Sequence, residues 1–132
     1  MLESDYNAIT FEIIRCAMDV HRHLGPGLME SVYDVCLCRE LSKAGLFVDR
    51  QILLPVVYKG ELLDKDFIID QLVEGEVVLE LKSVESILPI HEAQLVTYLK
   101  LSNKKLGLLI NFNVTVLKEG IRRKINGNLK FK

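Results

Sequence analysis

Asp70, Glu80 and Lys82 are charged side chains in segments otherwise composed like buried strands. Phe67-Ile68-Ile69-Asp70-Gln71-Leu72-Val73 and Val77-Val78-Leu79-Glu80-Leu81-Lys82-Ser83-Val84 are rich in the β-branched and aliphatic residues that favour strands. Side chains alternate faces along a strand, so Glu80 and Lys82 share a face with Val78 and Val84, and Asp70 shares one with Ile68 and Leu72. An ionised group on a buried face is costly unless it is paired or bound to a metal. A two-residue turn at Glu74-Gly75 would set Asp70 opposite Leu79. A three-residue connection, Glu74 to Glu76, pairs Val73 with Val77 and sets Asp70 opposite Glu80, with Cβ atoms about 5 Å apart. Carboxylates that close repel each other unless a cation lies between them. Mg²⁺, with Mn²⁺ as its substitute, suits the place, because it takes oxygen ligands and often combines one or two carboxylates with water and phosphate. Lys82 would then hold a water or a phosphate oxygen. The same residues also read as an ordinary Glu80–Lys82 ion pair on a half-exposed strand with Asp70 at an edge, and spacing alone leaves both readings open.

The elements that must position these groups can be read from periodicity. Residues 7–24 carry Ile9, Ile13, Ala17, Val20 and Leu24 at helical spacing, with Asp5 or Asn7 as the cap. Gly25-Pro26-Gly27 interrupts, and a second helix runs from about Leu28 to Lys43, ending near Gly45. Strands are expected at Val48–Tyr58, Glu61–Val73 and Val77–Val84, the first two joined by a Lys59-Gly60 turn. Pro89 opens a third helix, Ile90–Leu101, and Leu106–Phe112 and Val114–Lys118 are the last strands. The order α-α-β-β-β-α-β-β predicts one α/β domain over residues 1–132, a mixed sheet flanked by helices.

A chain of 132 residues with 49% hydrophobic and 27% charged residues has the composition of one folded domain and is too apolar for a disordered segment. The longest uncharged stretch, Leu106–Leu117, is twelve residues, short of the roughly 20 a membrane helix needs. The net charge of −1 hides a division: residues 100–132 carry nine basic residues and one acid, and residues 1–99 carry 8 basic and 17 acidic ones. The basic last quarter contains Lys100, Arg122, Arg123 and Lys124, which suit phosphate contacts without sequence information. A solvated lysine-rich surface would look the same. Cys16, Cys36 and Cys38 form no C-x-x-C pair, and the last two point about 200° apart on a helix, so reduced thiols of a cytoplasmic protein are expected. The acidic start, Met1–Asp5, shows no secretory leader pattern.

Two helical positions carry further chemistry. Glu30 stands in the first turn of the second helix, where a carboxylate gains about 0.3–1 kcal/mol from the dipole, but it also lies along the stripe of Leu37 and Leu41 that faces the core. Gln94 and Tyr98, one turn apart on the third helix, share a side with His91.

These residues together resemble a known family. Asp70 followed by Glu80-Leu81-Lys82 on the next strand is similar to the D…(D/E)xK signature of the PD-(D/E)xK nucleases, with Ile69 where that signature has Pro. Gly27-Leu28-Met29-Glu30-Ser31-Val32-Tyr33 resembles the G-x-x-E-x-x-Y signature of the GxxExxY family within that superfamily. Gln94-Leu95-Val96-Thr97-Tyr98 is similar to the Q-x-x-x-Y element of RecB-type exonucleases. The resemblance implies a restriction-endonuclease-like fold and a Mg²⁺-dependent phosphodiesterase acting on nucleic acid, DNA in the first instance. It implies metal ligation by Asp70, Glu80, the Leu81 carbonyl and Glu30, and catalytic work by Lys82, Gln94 and Tyr98. Tyr33, one turn on from Glu30, is a candidate for substrate contact, and it reads equally as a packed ring that donates one hydrogen bond. A homodimer would bring two such sites to two strands. The rival expectation is a nucleic-acid- or protein-binding module that keeps the fold without catalysis.

Overall fold

The computed structural model describes residues 1–127. Two helices, α1 (Glu3–Leu24) and α2 (Glu30–Lys43), precede three strands, β1 (Val48–Tyr58), β2 (Glu61–Val73) and β3 (Val77–Lys82). Helix α3 (Pro89–Ser102) then crosses to β4 (Leu106–Asn111), and a 3₁₀ turn at Leu117–Gly120 leads into β5 (Ile121–Ile125). The sheet order is β1-β2-β3-β4-β5, with β3 and β4 parallel and every other pair antiparallel. This is the expected α-α-β-β-β-α-β-β order in a mixed sheet covered on both sides.

Each face of the sheet has its own core. Ile13, Ala17 and Val20 of α1 and Tyr33, Leu37 and Leu41 of α2 pack on Val77, Leu79, Leu81, Leu106, Leu108 and Ile110. On the other side Leu95, Tyr98 and Leu99 of α3 meet Val78, Leu109 and Ile69. Gly107 lets α3 approach closely, since a Cβ there would lie 2.8 Å from Leu95 Cδ1.

The long β1–β2 ribbon changes sides along its length. Val48 packs with the α1–α2 core, whereas Ile52 and Leu54 join the α3 core, although all three are even-numbered. On β2, Val73 faces the first core and Ile69 and Phe67 the second. The crossing falls where the pairing passes from Arg50↔Gln71 to Ile52↔Ile69, omitting Gln51 and Asp70. Gln51 takes a left-handed φ of 53°, a conformation that costs a non-glycine residue roughly 1–2 kcal/mol. Asp70 thus stands at the point where the ribbon rolls over.

Most boundaries fall within two residues of expectation, and two differ by more. Helix α1 begins at Glu3, four residues early, because the Asp5 carboxylate accepts the Leu2 N–H at 2.7 Å and Tyr6 is buried. The last strand is Ile121–Ile125 rather than Val114–Lys118. Asn111 bends the chain out of the sheet there, its side-chain oxygen accepting the N–H groups of Val84 and Asn113. The real β5 escapes an apolar-run search because it is an edge strand carrying Arg122, Arg123 and Lys124, charges of the kind that discourage edge-to-edge pairing.

Gly120 closes this detour. A Cβ there would lie 2.2 Å from the Asn111 carbonyl oxygen, a backbone atom that cannot swing aside. Gly120→Ala is therefore expected to cost about 3 kcal/mol or more, read as a lowered urea midpoint with an unchanged slope.

Candidate active site

The three-residue connection is the one adopted. Val73 pairs with Val77, Leu72 with Val78 and Gln71 with Leu79, and Glu74 and Gly75 both have positive φ. The next step along that register brings Asp70 level with Glu80. There the ladder gives way to a side chain: Asp70 Oδ2 accepts the Leu81 N–H at 2.8 Å. The carboxylate of β2 is thereby tied to the backbone between Glu80 and Lys82.

Glu80 is 5% exposed, and its Oε1 has no hydrogen-bond partner among the described residues. Burial first, and then the charge of Asp70, push its pKa up to about 8, against the opposing pull of Lys82 and of the Asp70 backbone N–H. Burial also raises the Asp70 carboxyl, with its bond to Leu81 acting the other way. Glu30, the first residue of α2, is exposed over much of its surface, but its carboxyl end is desolvated and lies near Asp70, and both effects raise its pKa. Lys82 draws all three carboxyls down. Tyr98 is buried, its ring 5.4 Å from that of Phe67, and burial followed by Glu80 and Asp70 keeps its phenol protonated as a donor. Glu30, Asp70, Glu80, Lys82 and Tyr98 therefore form one electrostatic cluster drawn from α2, β2, β3 and α3. Beside it a cleft of about 370 Å³ is lined by Met29, Glu30, Ser31, Asp34, Gln51 and Asp70.

Other expected residues lie elsewhere. Gln94 is half-buried within α3, one turn before Tyr98. His91 Nδ1 accepts the Leu88 N–H at 3.0 Å, which fixes the start of α3. Tyr33, expected at the substrate, is 0% exposed: its ring stacks on Phe112 with centroids 4.4 Å apart, and its hydroxyl donates to the Gly25 carbonyl at 2.6 Å. The same hydroxyl accepts the Leu28 N–H at 3.2 Å, so Tyr33 shapes the glycine-rich loop from inside the core. Tyr33→Phe is expected to cost about 1–2 kcal/mol in a denaturant melt and to leave cleavage of nucleic acid unchanged.

The basic segment does not converge on the carboxylates. Strand β4 separates β5 from β3, and alternation divides the cations between two faces. Arg123 donates to Asn7 Oδ1 on α1 at 3.0 Å, Lys124 pairs with Glu92 of α3 at 2.6 Å, and Arg122 donates to the carbonyls of Glu119 and Ile121. Lys100 is exposed on α3. Lys130 and Lys132 lie outside the described residues.

Sequence reasoning missed Asp34, Gln71 and Arg50. Asp34, 7% exposed, is one turn after Glu30 on the stripe of Leu37 and Leu41. It accepts hydrogen bonds from Gln71 and Arg50. The spacing Glu30–Asp34–Leu37–Leu41, at i, i+4, i+7 and i+11, was the available signal.

The fit to a divalent metal rests on the donor set. The carboxylates are oxygen donors, one of them carries an orphaned buried acceptor, and their crowding favours a cation among them. Among the described residues no three His, Cys, Asp or Glu side chains close up as a ready cage. A family model of the PD-(D/E)XK nuclease superfamily matches residues 7–124. The chain belongs to this superfamily. The matched span includes every member of the cluster, and PD-(D/E)XK nucleases generally use divalent metals. No curated protein and no solved structure matches the chain. Within this PD-(D/E)XK domain, no helix among the described residues is long and apolar enough to cross a membrane.

Proposed function

We propose that the protein is a Mg²⁺-dependent phosphodiesterase that hydrolyses nucleic acid, with DNA as its substrate, and that it belongs to the GxxExxY group of the superfamily. The observation that carries this reading is the buried, unpartnered Glu80 Oε1 beside Asp70. Asp70, Glu80, the Leu81 carbonyl and Glu30 would hold the ion. When bound, the ion lowers the pKa of a ligated water and offsets charge on the scissile phosphate.

The remaining roles fall to the chain's own groups. The Leu81 N–H holds the Asp70 carboxylate in one orientation, so it is preorganised before substrate arrives. Lys82 supplies a positive charge among three carboxyls, placed to steady the attacking water or the developing charge on phosphorus. Tyr98 remains protonated and so presents a hydrogen-bond donor to a phosphate oxygen. Gln94, on the same side of α3, offers a neutral amide to the backbone of the substrate. The GxxExxY assignment is supported by the division of labour within Gly27–Tyr33: Glu30 faces the cluster, and Tyr33 packs in the core and ties down the loop that precedes α2.

The test is cleavage of linear and supercoiled DNA by the purified chain with Mg²⁺ or Mn²⁺, against a chelated control. Cleavage that requires metal and disappears in Glu80→Gln supports the reading. Cleavage indifferent to chelation, or retained by Glu80→Gln, overturns it, and so does the absence of cleavage with either metal.

A further inference from the structure

The two halves of the carboxylate cluster come from elements joined through very few polar contacts. Glu30 is carried by α2 and Asp70 by β2. One turn along α2 from Glu30 lies Asp34, and one residue along β2 from Asp70 lies Gln71. Gln71 Nε2 donates to both the Asp34 carbonyl oxygen, at 2.9 Å, and Asp34 Oδ1, at 2.7 Å. Arg50, paired with Gln71 across the ribbon, closes the arrangement on Asp34 Oδ2 from the solvent side.

We propose that the Asp34–Gln71 pair is a positioning clamp that fixes the separation of Glu30 from Asp70 and so sets the affinity of the site for a divalent cation. This rests on the metal-site reading above and assigns it two residues outside the proposed ligand set.

The clamp sits where the geometry most needs one. At Gln51 and Asp70 the β1–β2 ribbon rolls from one core to the other, and the regular pairing is interrupted. Gln71 is the first residue on the α2 side of that break. Without a fixed bond there, α2 and β2 would be held only by non-directional apolar packing, which tolerates small slides. Two hydrogen bonds from one amide to two acceptors on a single residue fix both distance and rotation.

Stability alone is a poor explanation for this amide. Gln71 is 0% exposed, and its Oε1 has no partner among the described residues. An unpaired buried acceptor is destabilising. An apolar residue of the same volume would carry no such penalty, and its neighbours Leu79 and Val73 are apolar. A buried polar group with one end unsatisfied is the kind of feature that calls for a role beyond stability.

The experiment measures Mn²⁺ binding to the metal-free full chain by titration calorimetry, with DNA cleavage followed in parallel. Gln71→Met keeps the volume and removes the amide. Asp34→Asn keeps the two acceptors that Gln71 uses, the backbone carbonyl and Oδ1, removes the charge, and replaces Oδ2, the acceptor of Arg50, with an amide donor. The clamp predicts that Gln71→Met weakens Mn²⁺ at least tenfold and raises the metal concentration needed for half-maximal cleavage, with its thermal transition still cooperative. Asp34→Asn should stay within about threefold of the wild type. If Gln71→Met does not fold, Asp34→Ala, which removes the Oδ1 acceptor, is read in its place with the same expected loss. Equal Mn²⁺ affinity in the wild type and the clamp-breaking variant overturns the clamp and leaves the metal-site reading intact. A wild-type chain that binds no Mn²⁺ overturns the metal-site reading, and the clamp falls with it.

Discussion

Glu80→Gln is expected to reduce metal-dependent cleavage by roughly 10³-fold, about 4 kcal/mol of transition-state stabilisation, and at the same time to make the metal-free protein more stable. The two effects have one cause. Glu80 is buried beside Asp70 with an oxygen that nothing in the described structure satisfies, and burial dominates the rise of its pKa to about 8. Glutamine keeps the volume and removes the charge. The carboxylate proposed to ligate the ion is lost, and so is the repulsion that it imposes on its neighbour. Measured at pH 8 without metal, the variant should gain about 1–3 kcal/mol in a urea titration. A residue of purely structural value would show the opposite sign, losing stability on substitution. Loss of both activity and stability in Glu80→Gln would therefore assign Glu80 to the fold instead of the chemistry.

The second large effect concerns pH. The Glu80 carboxyl titrates near 8 in the folded chain and near 4.5 as a free side chain, so the folded state binds the extra proton between those values. Stability then falls as pH rises through that window, by up to about 5 kcal/mol from this one group. Asp70 and Glu30 are shifted in the same direction and add to the fall. Metal-free protein melted from pH 5 to 8.5 should show a declining transition temperature, and Glu80→Gln should flatten most of the decline. Mg²⁺ competes with protons for the same oxygens, so its stabilising effect should be larger at pH 8 than at pH 6. A transition temperature that rises with pH over this range would contradict the electrostatics of the site.

The alternation of Asp70 and Glu80 against their apolar neighbours was legible in the sequence, because a charge on a buried strand face breaks a simple rule. The register was narrowed to two choices, and the pairing of Val73 with Val77 is the three-residue one. Tyr33 was harder, because its place depends on Phe112, a stacking partner brought to it only by the complete fold. The fifth strand was displaced because Ile121–Ile125 carries three cations at its centre, and only its position at a sheet edge makes that composition acceptable. Asp34 went unnoticed for the opposite reason: an acid one turn after Glu30 looks like helix surface until Gln71 is seen to meet it. The charge count along the chain left open where the cations lie relative to the carboxylates. In the fold, β5 spends its cations on Asn7, Glu92 and nearby carbonyls.

The side-changing ribbon has a consequence for how such a domain can diversify. Asp70 is anchored by its own bond to the Leu81 N–H, at the inner end of the hairpin, while the outer part, from Ile52 around Lys59-Gly60 to Phe67, packs with the α3 core or stands in solvent. The pairing already absorbs an irregularity between Pro55 and Val57 without passing it to Asp70. The tip can therefore lengthen, shorten or change its exposed surface while the carboxylates keep their places, which leaves one end of the ribbon free to vary without disturbing the other.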